Sequence, residues 1–355
     1  MDEFRQKIRD KIDDARSFYV DGSTDKYSDE AFTEMMLLDA CLVLAYIERD
    51  QATKEEIITC LGMQALYALG TDILNLLENQ LPFLVLEIVM SLKFQGNEWM
   101  DVLDIFSAMA SFGVEEHNKN AKAREVCKKQ PLHLLEYFWL RERAFDQPSK
   151  ALKSRSTART LANQSINKFI YSFRSVSELK SKGIHVRPSG IRSRKDVEFK
   201  SFFFFGVLKL PPFFFSPEWI IRCSNLVAYE LSLNDHDKLP TMAYLNFMKS
   251  LVNSPDDVKE LRSKAILFTT FSSDEEVVEK FHGIITSVAE DFNRFDEVEQ
   301  EIQMYYHSML TSWIAELLHT YFSSPWTFIA FLAASSLLVL TFLQTYFTMY
   351  PRRDR

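Results

Sequence analysis

The residues that could do acid–base or metal chemistry are few and far apart in this chain. Asp235-His236-Asp237 is the only place where carboxylates flank a histidine on both sides. Such a triplet could supply a metal ligand or a proton-transferring pair, but Lys238 and Pro240 beside it indicate a solvated loop, and no second cluster completes it. The other histidines are dispersed at His117, His133, His185, His282, His307 and His319. We therefore expect no metal and no cofactor.

Known catalytic motifs are also absent from the sequence. There is no Walker loop, dinucleotide-binding glycine pattern, HExxH pair, nucleophile elbow or kinase signature. Nine glycines in 355 residues leave few places where backbone could close around a phosphate. The sequence favours a non-enzymatic protein, and the alternative is a membrane-tethered enzyme whose site is assembled from distant residues.

One polar constellation lies inside a strongly apolar run, Asp72 to Glu87. Glu78, Asn79 and Gln80 are consecutive, and Pro82 interrupts any helix just behind them. Because buried polar groups are costly unless they are bonded, we expect these side chains to bind the unpaired backbone groups at the break, or one another. A binding or catalytic role would require a cavity beside them.

The net charge of −8 conceals an uneven distribution. Residues 117–200 contain 20 Lys and Arg against 7 Asp and Glu, so the rest of the chain is strongly acidic. A basic region can attract anionic lipid or an acidic partner, although solvated loop and helix faces explain it more simply. The 30 phenylalanines indicate large apolar contacts, and we expect no nucleic-acid partner.

The four cysteines are widely separated, without a CxxC pair or a histidine at metal-ligand spacing. Disulfide scaffolds are much denser in cysteine, so we expect reduced and mostly buried thiols. They are Cys41, Cys60, Cys127 and Cys223.

The elements that must position these residues are predominantly helices with clear start signals. A capping serine followed by acids, or by proline and an acid, precedes an amphipathic run at Ser28, Ser216, Ser254 and Ser273. The fold class predicted is therefore mainly α: a helical body, a small β-hairpin or sheet near 184–210, and a C-terminal transmembrane helix.

The β element is predicted from Gly183 onwards. A left-handed helix end is expected at Gly183, followed by short strands at 184–186, 197–200 and 206–210. Two phenylalanine runs, 202–205 and 213–215, lie within or just after these strands. We expect both to pack between sheet and helices, and the alternative is a patch facing a partner or a membrane.

A basic, serine-rich stretch divides the body. Residues 147–159, QPSKALKSRSTAR, predict a flexible linker between a front helical portion, 1–146, and a rear portion, 160–324, that carries the β element. A transmembrane helix over 325–350 and a short basic tail, 351–355, follow. Whether the two portions are separate domains or bury their helices against each other is left open by the pattern.

The predicted anchor is an uncharged run from Trp326 to Tyr350, bounded by Pro325 and by Arg352 and Arg353. About 20 apolar residues in a helix cross a ~30 Å hydrocarbon core. The side chains predicted to meet lipid are Trp326, Phe328, Ile329, Phe331, Leu332, Leu337, Leu338, Leu340, Phe342, Leu343, Tyr346 and Phe347. We expect a single-pass protein of the plasma membrane or an endomembrane, with an unidentified protein partner.

Two sequence features disagree about which side of the membrane the body faces. The N-terminal residues contain no continuous apolar region, so we expect no signal peptide and favour a cytosolic body. Acids before the span and two arginines after it favour the opposite orientation. The sequon Asn163-Gln164-Ser165 supplies a glycosylation acceptor that would report a body outside the cytosol.

Several segments, in order, resemble a plant family known as domain of unknown function 247. They include EAFTEMMLLDACLVLAYI, DILNLLENQLPFLVLE, PLHLLEYFWLRE, VEFKSFFFFGVLKLPPFFF, YLNFMKSLVNSPDDVKELRSKAI and YFSSPWTFIAFLAASSLLVLTFLQTYF. The resemblance covers about Phe4 to Phe347 and implies a single-pass plant membrane protein of unknown activity. Family members usually begin with a further stretch containing an SIGPYHHG-like motif, so we expect this chain to be an N-terminally shortened member.

Overall fold

The structure is a computed structural model and confirms the mainly helical fold with small sheets. It describes residues 1–48, 55–56, 58–60, 62–94, 98–110, 130–145, 174–190, 196–202, 205–233, 239–286, 295–306 and 325–349.

The front portion is built from helices around one apolar core. Its elements are α1 (Asp2–Arg9), α2 (Ile12–Arg16), α3 (Asp29–Glu48), α4 (Met63–Asn75), a 3₁₀ turn (Leu77–Asn79), α5 (Phe83–Lys93), α6 (Glu98–Ala110) and α7 (Leu134–Phe145). Helices α3 and α5 are buried along much of their length, with Leu37, Leu86 and Met90 almost fully shielded from solvent. These two apolar helices therefore hold this portion together.

The rear portion combines short helices with two small sheets. Its elements are α8 (Val176–Ser181), β1 (Ile184–Pro188), β2 (Glu198–Ser201), β3 (Gly206–Leu210), β4 (Phe213–Phe215), α9 (Pro217–Ser232), α10 (Pro240–Leu251), α11 (Pro255–Ser263), β5 (Leu267–Thr269), α12 (Asp274–Gly283) and α13 (Asp296–Tyr306). Helix α14 (Pro325–Met349) follows these elements in the chain.

The predicted small sheet is present and has three strands in the order β1-β3-β2. Strand β3 pairs antiparallel with β2 and parallel with β1, with Ile184 opposite Gly206. Gly183 has a φ of 74°, the left-handed conformation expected after a helix end. A second sheet that the sequence did not predict pairs β4 with β5 in parallel, joining Phe213 to Leu267.

The serine caps predicted from sequence begin the helices as expected. Ser216 accepts a hydrogen bond from the backbone N–H of Trp219 over 3.3 Å, and Ser273 accepts one from Glu276 over 3.1 Å. Ser254 forms a capping box with Asp257. These contacts are local in sequence, which is why the pattern alone could identify them.

The two phenylalanine runs have different environments, which corrects the expectation that both are buried. Phe213 and Phe215 lie in the rear core, where Phe215 is fully buried against Phe281. Phe202 and Phe205 are instead 49% and 40% exposed at the tip of the β2–β3 hairpin. Residues at a hairpin tip lie beyond the last pair of residues in the ladder, so neither the sheet nor the helices cover them.

The front and rear portions are in contact although each has its own core. One apolar cluster lies within residues 8–138 and another within 176–305. A third, small cluster joins them and consists of Leu135 and Trp139 of α7 with Leu226 and Tyr229 of α9. The predicted linker, 147–159, lies outside the described residues, so the domain boundary stays a prediction.

Candidate functional site

Helix α14 exposes many large apolar side chains, which is unusual for a protein surface in water. Within the described part of the chain, one helix is long and apolar enough to cross a membrane, at Ile329–Tyr346, and none of that stretch is buried. Trp326 is 78% exposed and Phe342 is 72% exposed. A core helix of the same composition would pack its side chains against the body, and this one does not.

Most residues predicted to face lipid are exposed on this helix. They are Trp326, Ile329, Phe331, Leu332, Leu337, Leu338, Leu340, Phe342, Leu343 and Tyr346. Phe328 and Phe347 belong to the helix, but their side chains are not among those described. Arg352, Arg353 and the sequon residue Asn163 also lie outside the described residues.

Five serine and threonine hydroxyl groups on α14 are bonded within the helix itself. Each donates to the backbone carbonyl four residues earlier, over 2.7–2.8 Å. These residues are Ser335, Ser336, Thr341, Thr345 and Thr348. Bonding of this kind removes the main cost of placing a hydroxyl in hydrocarbon, because no donor is left without an acceptor.

The second arrangement of interest is a buried carboxylate between the two portions. Glu230 of α9 is completely buried, and its Oε1 accepts hydrogen bonds from the indole N–H of Trp139, over 3.0 Å, and the backbone N–H of Thr241, over 2.8 Å. Its Oε2 accepts from the backbone N–H of Met242 over 3.0 Å. Thr241 and Met242 lie in the first turn of α10, so Glu230 satisfies two N–H groups that the helix leaves unpaired.

Burial and hydrogen bonding act in opposite directions on Glu230. Removal from water raises the pKa of this carboxyl, and the donors from Thr241, Met242 and Trp139 only partly counter that effect. Tyr229 beside it contacts Trp139 edge-on, with ring centroids 5.7 Å apart. Burial, and then the nearby Glu136 carboxylate, raise the pKa of the Tyr229 phenol well above its usual value.

His133 completes this junction at the start of α7. Its ring meets Tyr229 edge-on at 5.3 Å, and its Nδ1 accepts the backbone N–H of Glu136 over 3.0 Å. Burial lowers the pKa of His133, although the Glu136 carboxylate opposes this. An accepting Nδ1 and a lowered pKa both favour the neutral imidazole, so His133 acts here as a helix cap.

Of the three polar residues just before Pro82, one braces the break between α4 and α5 as expected. Gln80 Nε2 donates to the carbonyls of Ile73 and Leu76, over 3.2 and 2.8 Å. Gln80 Oε1 accepts the backbone N–H of Leu135 over 3.0 Å, which ties the break to α7. Glu78 and Asn79 are exposed, so the bracing expected of all three falls to Gln80.

Two further hydrogen bonds connect this break to α9 of the rear portion. Arg222 Nε donates to Oδ1 of the buried Asn75 over 2.7 Å. Asn225 Oδ1 accepts the backbone N–H of Leu77 over 3.0 Å. With Glu230 and Trp139, these contacts make α9 the element that holds the front and rear portions together.

Asp257 is a second fully buried carboxylate, and it lies inside the rear portion. Its Oδ1 accepts the backbone N–H of Ser177 over 2.7 Å, while its Oδ2 accepts from Asn253 and Ser254 N–H groups over 3.1 and 2.9 Å and from the Ser254 hydroxyl over 2.8 Å. Burial alone would raise the pKa of Asp257, but these hydrogen bonds together lower it.

The chemistry available to these groups is therefore structural. Glu230 and Asp257 use their oxygens to satisfy N–H groups of the fold, and His133 caps a helix. In the stretches of chain that the structure describes, no three His, Cys, Asp or Glu side chains are grouped so as to hold a metal. The triplet at 235–237 lies outside those stretches.

Sequence reasoning missed the role of Glu230, and it placed a helix start at Ser254 without identifying the buried role of Asp257. The available signal for Glu230 was a single acid in the apolar segment LVAYEL, ten residues before Pro240. Of the three described cysteines, Cys223 is buried as expected, whereas Cys41 is half-buried and Cys60 is exposed.

Comparison with known proteins gives a family match and two partial relatives. A family model described as plant protein of unknown function, DUF247, matches residues 1–340. Two UPF0481 proteins of Arabidopsis thaliana are similar to this chain. The first is 31% identical over 176 residues, which is 48% of this chain and 32% of the relative. The second is 34% identical over 128 residues, which is 34% of this chain and 26% of the relative. The chain thus spans about a third or less of these relatives' length. No solved structure matches.

Proposed function

We propose, from the premise that this chain belongs to the plant family DUF247, a family of plant proteins of unknown function, that it is a membrane-anchored interaction protein. Helix α14 inserts into a bilayer, and the helical body binds a protein partner at that membrane. The observation that carries the proposal is an apolar helical stretch, Ile329–Tyr346, of which no part is buried.

The dimensions of α14 support insertion. Its 25 residues give a length of about 37 Å, enough to cross a ~30 Å hydrocarbon core with some tilt. Trp326 and Tyr346 are separated by about 30 Å along the helix axis, so both rings can lie at headgroup level. Left in water, the same side chains would form an apolar patch far larger than soluble proteins tolerate.

The buried polar groups of the body support an interaction role because they fix its helices in one arrangement. Glu230, Asp257 and Gln80 hold helices and portions together, which stabilises one arrangement of the surface. A rigid body held at a membrane meets partners at a raised effective concentration, so modest affinity is sufficient. We place the body in the cytosol.

Membrane extraction tests the anchor. The full chain expressed in plant cells should stay in the membrane pellet after alkaline carbonate washing. The double variant Leu338→Asp/Phe342→Asp should move to the soluble fraction, because each charge near the bilayer centre costs about 2.5–3.5 kcal/mol. Leu38→Asp/Ile285→Asp places the same charges at exposed sites of the body and serves as the matched control.

Retention of the charged α14 variant in the pellet, or release of the unchanged chain, would overturn the anchor. The interaction role is tested in the same membranes with a short crosslinker. The unchanged chain should form a product with another protein, and the Leu338→Asp/Phe342→Asp variant should lose it. A product formed equally by both would show that binding does not depend on the membrane.

A further inference from the structure

We propose that His133 is a pH switch at the junction of the front and rear portions. In its neutral form the ring caps α7, and protonation removes this cap and loosens the packing of α7 against α9. The proposal does not depend on the insertion of α14, because the junction lies within the body.

The neutral ring of His133 is an acceptor in a reciprocal helix cap. Its Nδ1 accepts the backbone N–H of Glu136 over 3.0 Å, and the Glu136 carboxylate in turn accepts the backbone N–H of Leu132. This pair of bonds resembles a capping box, with histidine in place of serine. An imidazole nitrogen accepts a hydrogen bond only when it carries no proton, so the cap exists in the neutral form alone.

Protonation of His133 conflicts with this cap in two ways. A proton on Nδ1 would point at the backbone N–H of Glu136, so a donor would face a donor in place of an acceptor. A positive charge at a helix N-terminus also opposes the dipole of the helix. Burial lowers the pKa of His133 and so acts in the same direction. The ring therefore has to leave its position when it becomes charged.

The position of the ring couples this cap to the contact between the two portions. His133 packs edge-on against Tyr229 of α9, with ring centroids 5.3 Å apart. Tyr229 in turn meets Trp139 of α7 at 5.7 Å, and both lie in the small buried cluster that joins the portions. The first turn of α7 also carries Leu135, whose N–H binds Gln80 at the break between α4 and α5. A ring that leaves Tyr229 and a first turn that frays therefore open the junction at its edge.

The titratable groups around His133 set the direction of the switch. On α7, the Glu136 carboxylate opposes the effect of burial, and among the described residues it is the charged group that acts on the ring. On α9, Tyr229 faces the ring, and its raised pKa keeps the phenol neutral throughout the range in which histidine titrates. The segment before α5 pairs with His133 at Pro82, which has no ionisable side chain.

The pH window follows from the lowered pKa of His133. The unfolded chain binds the proton more tightly than the folded one, so the contribution of the cap is complete above pH 6.5 and is lost as pH falls through the lower folded value. Glu230, in the same junction, has a raised pKa and therefore contributes more stability as pH falls. Because the two groups act oppositely on the free energy of unfolding, the switch has to be measured at the junction and against a variant that lacks only the histidine.

Hydroxyl-radical footprinting of the detergent-solubilised full chain measures the switch. Side-chain oxidation is mapped by mass spectrometry between about pH 8 and about pH 5, the range in which histidine takes up its proton. We expect oxidation of Trp139 and Tyr229 to rise about five- to tenfold as pH falls, because a lost cap and a charge at the helix start disfavour the closed junction by about that factor. Trp99 and Tyr244, buried in the front and rear cores, are internal references and should not change.

Two variants separate the titration of His133 from other effects of acid. In His133→Asn the amide oxygen replaces Nδ1 as the acceptor but does not titrate, so oxidation of Trp139 should lose its pH dependence. Glu136→Gln keeps an acceptor for Leu132 and removes the charge that favours the protonated ring, so the rise in oxidation should move to lower pH. His185→Asn removes another histidine whose pKa burial lowers, on β1 of the rear portion, and should behave as the unchanged protein.

Constant oxidation of the two junction residues across this range in the unchanged protein would overturn the switch. The same pH profile in His133→Asn would also overturn it, and so would a parallel rise at the two core references, since that is unfolding of the whole body. If His133→Asn folds poorly and is oxidised strongly at every pH, Glu136→Gln decides. A rise that stays at the pH of the unchanged protein in Glu136→Gln contradicts the role of His133.

Discussion

The indole N–H of Trp139 donates to Oε1 of Glu230 over 3.0 Å, and this hydrogen bond joins the front portion of the chain to the rear. The two residues are 91 positions apart in sequence, and Glu230 is fully buried. Because the same carboxylate also receives two N–H groups of α10, a change at Trp139 affects both the junction and the start of that helix.

Trp139→Phe should destabilise the protein by about 1–3 kcal/mol, because a buried charged acceptor loses one donor. Urea denaturation of the detergent-solubilised chain measures the free energy of unfolding. Trp219→Phe replaces an indole by a smaller ring in the rear core without contacting Glu230, so it controls for the packing lost in any Trp→Phe change. A double-mutant cycle with Glu230→Ala, which removes the acceptor, should show a coupling energy above about 0.5 kcal/mol, and strict additivity would contradict a direct bond.

Asp257→Asn should cost about 3 kcal/mol at neutral pH, because four donors converge on a carboxylate that is fully buried. The pKa of Asp257 is lowered from its ordinary 3.8. The folded state therefore holds the proton less tightly than the unfolded state, so the stabilisation is complete above pH 3.8 and is lost as pH falls through the lower folded value.

The gap in unfolding free energy between the unchanged protein and Asp257→Asn should accordingly narrow as pH falls below 3.8. Denaturation curves at a series of pH values measure it. Asp256→Asn, at an exposed neighbouring position, should change stability by no more than about 0.5 kcal/mol. A gap that stayed constant down to low pH would mean that the carboxylate charge is not what the donors recognise.

Gly206→Ala should destabilise the three-stranded sheet by about 1–3 kcal/mol. A Cβ at this position would lie 2.8 Å from the Phe199 ring and 3.1 Å from Ile184, so the ring would have to move from its contact with Tyr305. Gly190→Ala, where a Cβ meets nothing within 4 Å, is the control. Thermal unfolding should separate the two variants, and equal melting temperatures would show that the ring moves without cost.

Asn163 should remain unglycosylated in plant cells if the body lies in the cytosol. Glycosidase treatment should then leave the electrophoretic mobility of the chain unchanged, and Asn163→Gln should migrate with the unchanged protein. A glycosidase-sensitive shift that Asn163→Gln abolishes would place the body on the other side of the membrane. This result would favour the orientation indicated by the arginines after the span.

Sequence reasoning succeeded where a structure depends on neighbours in the chain. The serine caps, the left-handed Gly183, the mainly helical fold and the three-stranded sheet all follow from residue types within a few positions. The parallel pairing of β4 with β5 joins segments more than fifty residues apart, and no local pattern specifies such a partner.

The dependence on residues distant in sequence also explains why the candidate site could not be predicted. Glu230 has its three donors on α7 and α10, and nothing in LVAYEL identifies Trp139 as one of them. The phenylalanine runs show the limit most clearly. Phe215 and Phe202 come from similar runs, but one lies in a strand under α12 while the other lies beyond the last paired residues of a hairpin. Composition cannot distinguish these positions, because burial is decided by where the turn falls.

The bond between Ser177 and Asp257 has a consequence for how the protein is made. The two residues are 80 positions apart, so at ribosomal rates of about 5–20 residues per second Asp257 is synthesised roughly 4–16 s after Ser177. During that interval strand β1, with Ile184 and Val186 destined for the core, exists without the carboxylate that fixes the helix before it. An apolar strand that stays unpaired for several seconds can misassemble with other exposed segments. We therefore expect the nascent rear portion to depend on chaperones until α11 has been synthesised.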